Sequence, residues 1–70
     1  MACICEGMLV RIIPGAEPVE VVKVEETQRN GEPCWVIHAA PVRIPLHGGG
    51  MQERSRYVVP KSYRGLEQVA

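Results

Sequence analysis

The chain has 70 residues, 46% of them hydrophobic, and its eight cationic side chains are balanced by eight carboxylates. A chain this short makes one domain and buries only about 60% of its unfolded surface, which leaves no room for a deep internal catalytic cavity. Zero net charge argues against strong nonspecific attraction to nucleic acid or anionic lipid, and the apolar content argues against disorder.

Six glutamates face three cations in residues 1–35, and five cations face two glutamates in residues 36–70. The resulting −3 against +3 is an asymmetry that interleaved strands would largely mix. The apolar run at residues 8–13 is cut by Arg11 and is too short for a bilayer; no signal-like segment precedes it. A cytoplasmic chain without membrane contact is expected. The odd cysteine count (Cys3, Cys5, Cys34) argues for reduced thiols over a disulfide framework.

Residues 1–7 read as a flexible lead-in ended by Gly7, and residues 8–70 as a single domain. A first strand over 8–13 is cut by Pro14-Gly15. Residues 19–25 are rich in β-branched side chains, which suit a pleated surface. Their alternation slips at Val21-Val22, which predicts a bulge or strong bend of the kind needed by a strand shared between two halves of a wrapped sheet.

Asn30-Gly31 is the clearest hairpin signal, set in a loop expected to span residues 27–33. On the returning strand, Trp35, Ile37 and Ala39 share one face and are assigned to the core. Cys34, Val36 and His38 share the other. Pro41 and Pro45 limit Val42-Arg43-Ile44 to a short or edge strand. His47-Gly48-Gly49-Gly50 reads as a flexible loop and lacks the Lys-Ser/Thr and helix of a phosphate-binding loop. Met51-Gln52-Glu53-Arg54 brings the chain back. No helical apolar period of useful length occurs.

The C-terminal stretch Tyr57-Val58-Val59-Pro60-Lys61-Ser62-Tyr63-Arg64-Gly65-Leu66 predicts a strand, a tight 3₁₀-like turn and a last short strand that closes a small barrel. Trp35 at the start of a middle strand and Pro60-x-x-Tyr63 before the last one resemble the order of landmarks in SH3 domains. The pattern over residues 8–69 is also similar to small SH3-like proteins of bacteria and their phages. The resemblance implies an all-β, SH3-like barrel of five or six short antiparallel strands. Residues 8–13 are aliphatic where SH3 domains carry a tyrosine-rich motif, and the Pro14-to-Pro18 loop is short. A polyproline groove therefore is not implied.

The core is expected from Leu9 or Val10, Ile12, Val22, Val24, Trp35, Ile37, Val58 and Leu66. A zinc site from Cys3 and Cys5 with Cys34, His38 or His47 lacks paired Cys-x-x-Cys spacing. Cys34 and His38 on one strand would lie about 13 Å apart, too far to share one ion. No nucleophile elbow surrounds either Cys5 or Cys34, and the chain has no Asp. No catalytic residue, metal or cofactor is assigned. The candidate binding residues are Trp35, Arg54, Arg56, Tyr57, Lys61, Tyr63 and Arg64, serving a noncatalytic contact with a protein partner or a second copy. The weaker alternative is nucleic acid, with arginines on phosphates and tyrosines stacked on bases.

Overall fold

The computed structural model describes residues 4–70. Cys3, weighed for a metal site that was not assigned, lies outside the described residues. The described residues form five strands and no helix: β1 (Leu9–Arg11), β2 (Val19–Arg29), β3 (Glu32–Pro45), β4 (Met51–Pro60) and β5 (Glu67–Gln68). They make one antiparallel sheet in the order β4-β3-β2-β1-β5. No helix is long and apolar enough to cross a membrane among the described residues.

The expected bulge is present. Val21 pairs with Ala39 and Lys23 with His38, so Val22 is the extra residue. β2 pairs with β1 through Val19 and Glu20, and with β3 on both sides of the bulge, at Val21 and from Lys23 onward. The bend lets one strand serve both parts of the sheet. Its consequence corrects the expected core: Val22 is 55% exposed, whereas Val21 is buried.

The β2–β3 hairpin is tighter than expected. Pairing continues to Arg29↔Glu32, leaving only Asn30 and Gly31 in the loop. Both have positive φ, 53° and 79°, as a two-residue turn matched to strand twist requires. β3 also runs through Pro41 and takes in Val42-Arg43-Ile44, expected as a short or edge strand. The ladder with β4 is irregular between His38 and Val42, and Pro41 sits in that irregularity, where its missing N–H costs no regular ladder bond. Strands of 11, 14 and 10 residues thus replace the expected short ones.

Val10, Ile12, Val19, Val21, Ile37, Ala39, Tyr57 and Val59 form the core, joined by Ile4 from the expected lead-in. Trp35, Val24 and Leu66 pack against it half-buried. Val59 takes the buried place expected of Val58, because the register sets Tyr57 opposite Ile37 and Val59 opposite Trp35 on the inner face. Cys34 and Val36, read as facing outward, are buried as well. β3 is flanked on that face by Thr27 and Pro60 at Cys34, and by Glu25 and Val58 at Val36.

The C-terminal turn is a hydrogen-bonded one, Tyr63 N–H to Pro60 O at 3.0 Å. β5 then pairs with β1 through Gln68 and Glu67. It does not close a barrel: β4 and β5 are the two edges of an open sheet. The radius of gyration, 12.6 Å, exceeds the roughly 11 Å typical of a compact domain of this length.

Candidate binding groove along the open sheet

Two segments that are distant in sequence meet where the sheet is open. Ile12 and Ile13 leave β1 toward the turn closed by Ala16 N–H to Ile13 O at 3.0 Å. Arg11 holds this loop by donating from Nε to Ala16 O at 3.0 Å and by pairing with Glu67 Oε1 at 3.0 Å. Opposite the two isoleucines stands β4. Tyr63 closes one end of the gap, its hydroxyl donating to Ile12 O at 2.8 Å. A Cβ at Gly65 would lie 2.1 Å from the Tyr63 hydroxyl oxygen, so only glycine leaves room for this ring.

The gap forms a groove of about 200 Å³ walled by Ile12, Ile13, Arg54, Tyr57, Val59 and Tyr63. It runs into a larger and mostly apolar groove of about 340 Å³, where Val19, Val42 and Ile44 add aliphatic wall and Arg43, Arg54 and Glu17 add charge. Past the bulge the β2–β3 ladder ends at Val21↔Ala39, and Val19 and Glu20 pair with β1 instead. β3 beyond Ala39 then has no partner on that side.

The seven residues singled out from sequence do not make one cluster. Arg54, Tyr57 and Tyr63 line the groove. The Tyr57 ring is buried at its floor, and the Arg54 guanidinium sits 4.7 Å above that ring, although simple alternation would point the two side chains apart. Trp35 and Lys61 form a separate pair, the Lys61 ammonium 4.4 Å from the indole and ion-paired with Glu26. Lys61 N–H to Pro33 O at 3.0 Å and Ser62 hydroxyl to Glu32 Oε1 at 2.8 Å tie this turn to the β2–β3 hairpin. Arg56 pairs in register with His38, and Arg64 is exposed beyond the turn. Of the groove residues, Ile12 was expected in the core, Val42 and Ile44 on an edge open to a partner strand, and Ile13 carried no assignment. Their signal is aliphatic character beside Pro14 and between Pro41 and Pro45.

On the opposite face Glu25 has two close nitrogen neighbours. Lys23 Nζ lies 3.1 Å from Oε1 and His38 Nε2 3.3 Å, the latter an electrostatic contact without hydrogen-bond alignment. Lys23 foremost, and His38 less, hold the Glu25 carboxyl below the ordinary carboxylate range. Cys34 is buried, its thiol donating to Glu32 O at 3.4 Å, the behaviour of a small core residue. Among the described residues no three His, Cys or acidic side chains gather as a metal site. No protein-family model, curated protein or solved structure matches the chain.

Proposed function

We propose that this domain is a noncatalytic protein-binding module of the cytoplasm, an opened variant of the SH3-like barrel that recognises its partner in the groove beside β4. The carrying observation is the groove itself, an aliphatic trough over Tyr57 with two arginines and one glutamate at its walls. That lining offers apolar contact and charge for orientation, and neither a nucleophile nor an imidazole for proton transfer. Exposed apolar side chains gather around it, Ile13 at 46% and Leu46 at 47% on the neighbouring hairpin. The nucleic-acid alternative rests on the arginines and on the exposed Tyr63 ring, since the Tyr57 ring is buried.

Selection of random displayed peptides on the folded protein tests this, with Ile13→Asp as the comparison. Ile13 lines both grooves and is half exposed, so the substitution alters the trough with little effect on folding. Enriched sequences should lose binding to the variant. An empty selection, or peptides that bind both proteins equally, overturns the reading. Salt-dependent binding of oligothymidylate in place of peptide selects the nucleic-acid alternative.

A further inference from the structure

Resting on that reading, we propose that the occupant of the groove is an extended acidic segment of another protein, which adds to the free edge of β4 as a further strand of the sheet. Three observations converge on this chemistry.

The first is backbone. β4 pairs only with β3, and its outer edge carries no other strand among the described residues. Residues 51–59 contain no proline, so every N–H on that edge is present. The other free edges offer less. β5 has two residues, and the unpaired part of β3 is bounded by Pro41 and Pro45. An added strand would lie about 4.8 Å from β4.

The second is the wall that such a strand would meet. Ile12 and Ile13 stand across the gap from residues 54–60, with Tyr63 at its end. Side chains of a strand alternate in direction, so every second residue of the guest would enter this apolar space.

The third is charge. Among the described residues no carboxylate pairs with Arg43, Arg54, Arg56 or Arg64, nor with Arg29 at the β2–β3 hairpin, whereas Arg11, Lys23 and Lys61 have acidic partners. Arg54 and Arg56 lie on the edge strand itself, and Arg43 opposes Glu53 in the neighbouring pair. Arg56, opposite His38, lies on the face to which the non-groove positions of a guest would point, and Arg54 stands on the groove wall itself; such unneutralised guanidinium groups favour carboxylates on the guest. They also disfavour a second copy: antiparallel self-pairing centred near Ser55 would set the arginines of one copy against those of the other.

The test uses synthetic octapeptides: alternating Glu-Val, alternating Lys-Val, and two Glu-Val forms N-methylated at every other residue in opposite phase. The Glu-Val peptide should shift the amide signals of residues 54–59 and bind about tenfold more tightly than Lys-Val, the scale of one charge-assisted hydrogen bond. One N-methylated phase should bind like the parent and the other about tenfold or more weakly, because only alternate N–H groups face β4. Arg56→Gln should weaken Glu-Val binding and leave the unfolding midpoint in place, whereas adding Arg54→Gln, which also loses the contact with the Tyr57 ring, should weaken binding further and lower the midpoint slightly. Equal binding of Lys-Val overturns the acidic assignment, and indifference to both N-methyl phases overturns strand addition, with the binding reading intact in either case. Dimerisation that removes the β4 amides from exchange assigns the edge to a second copy and overturns the proposal. If neither these peptides nor any selected one binds, the binding reading falls with it.

Discussion

The Tyr63 hydroxyl donates to the Ile12 carbonyl oxygen at 2.8 Å, across fifty-one residues of chain. The bond pins the segment after β4 to the end of β1, and the same ring is housed only because residue 65 has no side chain.

Tyr63→Phe should therefore cost about 1 kcal/mol, the net worth of one partly buried hydrogen bond. Gly65→Ala should cost about 1–3 kcal/mol, because the added methyl meets the phenol and one of them must move. In a Tyr63→Ala background the Gly65→Ala cost should nearly vanish, since nothing remains to clash. Urea midpoints of the four proteins decide it: additive costs would mean that the two residues do not meet.

The adjacent valines of β2 should behave as opposites. Val21→Ala removes two buried methyl groups and leaves a cavity, a loss of about 2 kcal/mol. Val22→Thr changes a side chain that is 55% exposed at the bulge and should stay within about 0.5 kcal/mol. Similar losses at both positions would contradict the register, and thermal unfolding of the two variants is the measurement.

The turn between β2 and β3 should be sensitive to positive φ. Gly31, at φ 79°, should lose about 1–2 kcal/mol as alanine, the usual penalty of a left-handed conformation for a residue with a Cβ. A denaturant midpoint unchanged in Gly31→Ala would mean that the loop is longer than two residues and can adapt.

These tests divide along the line between what is legible locally and what is not. The Asn30-Gly31 turn, the bulge at two adjacent valines and the Pro60–Tyr63 turn are short-range patterns, and each is present. Pro41 misleads because a proline usually ends a strand, whereas here an irregular ladder absorbs it and β3 continues. The choice of Val59 over Val58 for the core depends on cross-strand register, which no single segment encodes. The groove was hidden for the same reason: Ile12, Val42 and Tyr57 come from three segments and meet beside the end of the β2–β3 ladder, where β2 leaves β3 beyond Val21↔Ala39. That departure also leaves the sheet open where a barrel was expected.

The pair at Trp35 offers a spectroscopic test of packing. Trp35 is the sole tryptophan, and Lys61 lies over its ring while pairing with Glu26. Lys61→Met keeps the aliphatic cover and removes the charge, at a cost of about 0.5–1 kcal/mol for a partly exposed cation–π contact. The tryptophan emission maximum should shift in the folded state and coincide with that of the parent protein after unfolding. An unchanged folded-state spectrum would place the ammonium away from the indole.

Glu25 should shape the acid limb of stability. Its carboxyl is held below its ordinary value, first by Lys23 and then by His38, so the folded protein favours the charged form more than the unfolded chain does. Such a group contributes stability that is fully present above the unfolded-state value and is lost as pH falls through the lower folded-state value. Acid should therefore weaken the protein across that interval, below neutrality and within the carboxylate range. Lys23→Met removes the main cause and should raise the Glu25 titration midpoint, read from the side-chain carboxyl ¹³C shift. His38→Gln should raise it less, because its contact with Glu25 is longer and poorly aligned. The order of these two shifts is the decisive result. A larger effect from His38 would make the imidazole the main partner of Glu25 and transfer the acid sensitivity of this face to histidine protonation.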